Sequence, residues 1–344
     1  MKFNAPSIAL IGLLCSAAAV QAETFQTGLQ DLSIPDASGD RPIQGYIWYP
    51  TRQTDGQVGE HGNGVWESIQ VIPGAEPVEG QHPLVILSHG MFGNARNQAW
   101  LADALVEQGY IVAAIDHPGT TTFDRDPDQR RALWQRPRDI SRTIDHVTGS
   151  ADYGPLVDPD RIFMAGHSLG GFTAIALAGG RYDQKTWDAF CAGMPGELVC
   201  GIFDDWQVAK TPEDSAQMSA DLSDPRIAGF AVFDLGGTQT FSPVSLGAIH
   251  RPLLIYGAPL DKHGIDLDIE SRALVAALPG ENVTYLEPPM LSHFDFLGVC
   301  TPKGLAILRE EEPEDAFICE EGTEERRAEH DQIAKEVTAF FGGL

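Results

Sequence analysis

The chain has 344 residues, 43% of them hydrophobic and 21% charged, which suits one large α/β domain with a sizeable core. With 49 acids against 23 lysines and arginines, the formal charge is −26. Nucleic acid and anionic membrane surfaces are therefore poor partners.

The N-terminus reads as a removable leader. Lys2 gives a positive start, Ile8 to Val20 an apolar run too short to span a bilayer comfortably, and Val20-Gln21-Ala22 a small-x-small cleavage site. Residues 1–22 are expected to be a signal peptide, which leaves a single domain over 23–344 in a periplasmic or secreted product. No other apolar run is long enough to predict membrane insertion. Cys15 leaves with the leader, so Cys191, Cys200, Cys300 and Cys319 remain. An even number in an oxidising compartment suggests disulfides. Pairing Cys191 with Cys200 and Cys300 with Cys319 closes two local loops. No C-x-x-C or H-E-x-x-H spacing occurs, and neither metal nor cofactor is expected.

Residues 24–50 alternate apolar and polar and predict an antiparallel strand pair. Residues 51–82 are rich in Gly, Gln and Glu and read as a long surface excursion. From residue 83 the rhythm becomes strand, turn, helix. Strands are predicted at 83–88, 110–115 and 161–165, with helices at 100–106, 138–147 and 172–178. Residues 179–225 break the pattern. They hold Cys191, Cys200, Trp187, Phe190, Phe203 and Trp206, and read as a lid-like insertion over the sheet or an appendix fastened by its own disulfide. Strands resume at 227–233, 252–256 and 283–286, with a helix at 269–278. A final helix over 324–341 places Ile333, Val337, Phe340 and Phe341 on one face. The fold class is α/β, with a mostly parallel central sheet and helices on both faces.

Gly166-His167-Ser168-Leu169-Gly170 stands between the strand at 161–165 and the helix that begins at Phe172. G-x-S-x-G in that context is a nucleophile elbow, whose sharp turn leaves room only for hydrogen beside the serine. Acyl transfer by a serine needs a base, an acid to hold the base, and donors for the oxyanion. His293, in the loop after the strand at 283–286, is the candidate base. Asp261, after the strand at 252–256, takes the commoner acid position, and Asp234, which ends the strand at 227–233, is the alternative. Asp295 is too close in sequence to reach the far nitrogen of His293. The oxyanion donors are expected to be the backbone N–H groups of Leu169 and Met91, with Phe92 next in line. His89, His117 and His167 are expected to brace backbone.

Taken together, Pro83–Gly93, Ala114-Ile115-Asp116-His117-Pro118-Gly119, Asp158–Ile162 with Gly166–Gly171, and Ser292–Leu297 before Cys300 resemble the predicted dienelactone-hydrolase group of serine α/β-hydrolases. That group is related to the plasma platelet-activating-factor acetylhydrolases. The similarity runs from roughly residue 40 to 341 and implies the α/β-hydrolase fold and esterase chemistry. True dienelactone hydrolases use cysteine where this chain has Ser168, so the group name does not give the substrate. The turn Gly257-Ala258-Pro259-Leu260-Asp261 also resembles the acid turn of bacterial cutinases and polyester hydrolases. In the acetylhydrolases the acid ends the previous strand, the Asp234 position. The insertion at 179–225 is absent from compact cutinases.

The reading is a secreted serine carboxylic-ester hydrolase acting on a small-molecule or polymeric ester. Its rivals are acetylhydrolase, thioesterase or peptidase chemistry on the same triad, and a non-catalytic binding protein of the same fold.

Overall fold

The strand–helix rhythm folds as one continuous sheet flanked by helices. A computed structural model describes residues 1, 24–260, 265–320 and 322–344. Apart from Met1, the expected signal peptide lies outside the described residues, and so does Asp261. The strands are β1 (Gln26–Ile34), β2 (Ile43–Thr51), β3 (Val58–Glu60), β4 (Ile69–Pro73), β5 (His82–Ser88), β6 (Ile111–Asp116), β7 (Val157–His167), β8 (Ile227–Phe233), β9 (Leu253–Tyr256) and β10 (Val283–Leu286). The helices are α1 (Ala99–Glu107), α2 (Pro127–Arg131), α3 (Gln135–Gly149), α4 (Leu169–Ala178), α5 (Gln184–Gly193), α6 (Leu198–Asp205), α7 (Pro212–Met218), α8 (Pro243–Leu246), α9 (Ser271–Ala277), α10 (Gly304–Glu311) and α11 (Thr323–Gly342).

The sheet order is β10-β9-β8-β7-β5-β6-β2-β1-β4-β3. From β10 to β6 every pairing is parallel, whereas β2 pairs antiparallel with both β6 and β1. The expected N-terminal strand pair is present. The excursion at 51–82 is less irregular than its composition suggests. Val71 and Ile72 are buried, and β4 pairs parallel with β1 and antiparallel with β3 at the sheet edge.

β5 is buried along its whole length, as expected of a parallel strand covered on both faces. Its side chains alternate between two core layers. Leu84 and Ile86 pack with Ile140 and Ile144 of α3 and with Ile175 of α4. Val85 and Leu87 pack with Leu101 and Leu105 of α1 and with Ile333, Val337 and Phe341 of α11. The period of two thus sorts one strand into both layers.

Segment 179–225 forms α5, α6 and α7 and no strand. It docks on α4 where Phe203 meets Phe172 at 6.3 Å, and Phe203 also packs on Trp187 of α5 at 5.1 Å between ring centroids. The Cys191–Cys200 disulfide joins α5 to α6, and Cys300–Cys319 brackets α10, in the local pairing the spacing suggested.

Glu270 is enclosed beneath the loop that leaves β8. One carboxylate oxygen accepts the N–H groups of Gly237 at 2.9 Å and Thr238 at 2.7 Å. Burial nevertheless outweighs these donors and pushes its carboxyl up to about 7. The unfolded chain holds this group at its ordinary 4.5. The raised value favours the protonated folded state, so the stabilisation is full below 4.5 and is lost as pH rises to about 7. Glu270→Gln cannot ionise. Wild-type stability should therefore fall relative to this variant across that interval in urea unfolding at stepped pH; a constant difference would contradict the assignment.

Phe341 carries the docking of α11. Its ring stacks on Phe163 of β7 at 4.6 Å and 13°, and it has no solvent exposure. Phe341→Ala should lower stability by about 3–5 kcal/mol through lost burial and a residual cavity, read by chemical denaturation. A loss under about 1 kcal/mol would mean that α11 is not part of the cooperative core.

Candidate active site

The parallel strands end at one rim, and sheet order decides what meets there. β7 leads to Ser168. Its two neighbours, β5 and β8, lead to the loop at Met91 and to Asp234. The chain leaving β10 returns across this rim as a single 3-10 turn, His293–Phe296.

Ser168 has φ 54° and ψ −116°, a backbone state that L-residues adopt only under constraint. Its N–H donates to Phe233 O at 2.9 Å. The flanking glycines are required by contact. A Cβ at position 166 would lie 2.2 Å from Gly170 O, and one at position 170 would lie 1.9 Å from Ser88 O. The bend is thus pressed between its own helix and β5. It places Leu169 at the first position of α4, where helix amides lack intrahelical acceptors.

His293 is buried, and its Nδ1–H donates to Asp234 Oδ2 at 2.7 Å. Asp234 has no solvent exposure. Its other oxygen accepts the Ala258 N–H at 3.0 Å, and its own N–H donates to Tyr256 O at 2.9 Å. Its φ of 41° is a left-handed state that aspartate tolerates better than most residues. The carboxylate against His293 is therefore the one that ends β8, the strand beside β7, whereas β9, which leads toward Asp261, lies one strand farther out. Among the described residues no hydrogen bond joins Ser168 Oγ to His293. Such contacts commonly tighten only when substrate is bound.

His167, as expected of it, braces backbone at the histidine turn, and Asp295, Arg326, His330 and Trp100 fix the rest of it. His167 Nε2–H donates to His293 O at 2.7 Å, and the two rings lie 4.7 Å apart. Asp295 caps its own turn through the Ser292 N–H and pairs with Arg326 of α11 at 3.2 Å. His330 donates to Asp295 O at 2.7 Å while stacking on Trp100, whose indole N–H donates to Phe296 O at 3.1 Å. Both α1 and α11 thus hold the turn from behind.

The loop after β5 is fixed atom by atom. Phe92 N–H donates to Thr120 O at 2.9 Å, so this amide is already committed. The His89 ring donates to Gly90 O at 2.7 Å and accepts the His117 N–H at 3.1 Å. Arg136, buried in α3, donates to His89 O and to the hydroxyls of Thr120, Ser88 and Thr173. Among the described residues the N–H groups of Met91 and Leu169 have no acceptor. A Cβ at position 90 would lie 3.1 Å from Ser168 Cβ, a tight contact. That contact sets the Met91 loop directly against the serine.

His117 braces side chains rather than the backbone expected of it. Ser88 O–H donates to its Nε2 at 2.9 Å, and its Nδ1–H donates to Asp139 at 3.0 Å. Arg41 clamps both Asp139 oxygens, at 2.8 and 2.6 Å. This is a second serine, histidine and aspartate in contact, but all three are sealed from solvent. Burial holds His89, His117 and His167 well below the usual imidazole range, aided at His89 and His117 by the nearby Arg136 guanidinium. These rings stay neutral and structural.

Known proteins resemble the chain over this same region. A family model described as serine aminopeptidase, S33 (Hydrolase_4) matches residues 80–194, which run from β5 through the elbow to α5. The chain is 28% identical to the bis(hydroxyethyl) terephthalate hydrolase of Streptomyces coelicolor over 256 residues, 71% of this chain and 69% of that protein. It is 31% identical to Cutinase est1 of Thermobifida alba over 103 residues, 29% of this chain and 32% of that protein. A ferulic acid esterase structure from Streptomyces cinnamoneus superposes with a TM-score of 0.62 at 21% identity, covering 94% of this chain and 91% of that one. That likeness speaks for the fold. The chain has the α/β-hydrolase fold, and the named activities of its relatives support assignment as a carboxylic ester hydrolase.

Proposed function

We propose that this chain is a serine carboxylic-ester hydrolase that works through an acyl-enzyme on Ser168, with His293 as base and Asp234, rather than Asp261, as the acid that holds it. The observation that carries this reading is the strained Ser168 backbone at the β7–α4 bend, one strand from a buried Asp234 bonded to His293 at 2.7 Å. Ser168 Oγ attacks the ester carbonyl as His293 Nε2 takes its proton. Asp234 orients the ring and stabilises the imidazolium. The N–H groups of Met91 and Leu169 bind the oxyanion, a contribution of about 3–4 kcal/mol per donor in comparable sites. His293 then protonates the leaving alcohol, and water clears the acyl group by the reverse sequence.

An acid at the end of β8 supports the likeness to the acetylhydrolases, in which the acid ends that strand. Relatives named for terephthalate esters and as cutinases support small or polymeric esters as substrates. Two disulfides suit an oxidising compartment and support a secreted or periplasmic product released from a signal peptide at 1–22. The helices α5–α7 act as the wall or lid of the substrate site.

Ser168→Ala should lower p-nitrophenyl ester turnover at least about ten-thousandfold with an unchanged thermal midpoint. Asp234→Asn should lose about as much in kcat, whereas Asp261→Asn should stay within about threefold of wild type. The opposite ranking of the two aspartates would return the acid role to Asp261. Undiminished turnover in Ser168→Ala would end the mechanism, and a preference for peptide anilides over esters would move it to the peptidase class.

A further inference from the structure

The loop that carries Met91 also builds a charged aromatic shelf. The Phe92 ring lies 5.4 Å from the ring of Trp206. Trp206 directly follows α6, so the insertion and the oxyanion-side loop meet in this one aromatic pair. Two guanidiniums lie over it. Arg125 Cζ is 4.4 Å from the Phe92 centroid. Arg130 Cζ is 5.9 Å from Phe92 and 5.5 Å from Trp206.

Neither guanidinium has a carboxylate partner among the described residues, and Arg130 Nε is buried without any hydrogen-bond partner. This is unexpected in a chain with 49 acids and 23 lysines and arginines. The acids nearby are committed elsewhere. Asp124 accepts the amides of Gly119 at 3.0 Å and Asp126 at 2.9 Å. Asp126 caps α2, and Asp128 and Asp214 both pair with Arg131. In the adjoining cleft the cations are also satisfied: Lys210 pairs with Asp204 at 2.7 Å, and Arg138 donates to Gln217 at 2.7 Å. Arg125 and Arg130 thus stand out as cations held on ring faces with donors to spare. A guanidinium stacked on a ring still presents its in-plane N–H groups for a carboxylate.

We propose that this shelf binds the acyl half of the substrate, and that this half is an arene bearing a carboxylate. The preferred substrate is then the half-ester of an aromatic dicarboxylic acid. Its ring lies beside Phe92, the partly exposed member of the pair, and its free carboxylate faces the in-plane N–H groups of Arg130 and Arg125. Water adds across the acyl–oxygen bond, yielding the dicarboxylate, the alcohol and one proton. Such a half-ester is what a first hydrolysis leaves from a neutral diester, so the reaction that supplies this site is itself an ester hydrolysis. The assignment rests on the ester-hydrolase reading of Ser168.

The test compares kcat/KM for a neutral benzene-1,4-dicarboxylate dimethyl ester and its monomethyl half-ester. Wild type, Arg130→Met, Arg125→Met/Arg130→Met and, as a control cation from the cleft, Lys210→Met are measured at low and high salt. The half-ester-to-diester ratio should fall about tenfold or more in the double variant, partly in the single one, and not in Lys210→Met. Added salt should lower the wild-type ratio and leave that of the double variant level. Equal losses on both esters, with the ratio unmoved, would show that the arginines only brace the two rings and would overturn the proposal. Turnover of neither ester by wild type would instead remove the ester-hydrolase reading, and this assignment with it.

Discussion

A single added carbon at position 170 would sit 1.9 Å from the carbonyl oxygen of Ser88. This contact between the start of α4 and the end of β5 is the constraint on which the site depends. It forces the sharp bend at Ser168, and it brings the β5 loop to the serine. Gly166 is nearly as crowded, with a Cβ there falling 2.2 Å from Gly170 O, so the Ser168 bend is fixed by backbone packing before any side chain acts. Substitution here would strain the bend, the strand and the helix together.

Around this contact the protein encloses an unusual amount of polarity. Arg136, His89, His117, Asp139 and Arg41 are all buried. Each is satisfied by partners on a different element, so the network ties α3, α4, β5 and the 116–121 loop into one block. A half-satisfied network of this kind would be costly, and a complete one specifies a unique arrangement. Its consequence for the site is subtraction. Phe92 gives its N–H to Thr120 and Gly90 gives its carbonyl to the His89 ring, while among the described residues the N–H groups of Met91 and Leu169 keep no acceptor. The histidines in this block are kept neutral by burial, whereas His293 is bonded at the rim to the carboxylate of Asp234.

Much of this was legible in the chain because the signals are local. The elbow glycines, the strand rhythm and the short disulfide loops each depend on residues close in sequence, and the parallel core was visible as apolar runs such as Leu84–Leu87. The position of His293 followed from its loop at the end of the last strand. The carboxylate partner of His293 was harder to read. Asp234 and Asp261 both follow strands that end at the same rim, and only the lateral sheet order puts β8 beside β7. Arg136, Arg326 and His330 look like ordinary surface residues of helices, and their roles come from partners tens or hundreds of positions away. β4 was hidden because it is short, lies at the sheet edge and pairs parallel with a strand far from it in sequence. Segment 179–225 offered no clear periodicity, and its helices are held by aromatic docking on α4 and by a disulfide.

The central claim is that one strained serine, a histidine held by Asp234 and two backbone amides act on the same carbonyl. The most direct measurement is a crystal structure of the enzyme inhibited covalently by an alkyl fluorophosphonate. The expected result is phosphorus bonded to Ser168 Oγ, a phosphonyl oxygen about 2.7–3.1 Å from the Met91 and Leu169 nitrogens, and His293 still bonded to Asp234. A phosphonyl oxygen turned away from both amides, or His293 bonded to a different carboxylate, would contradict it.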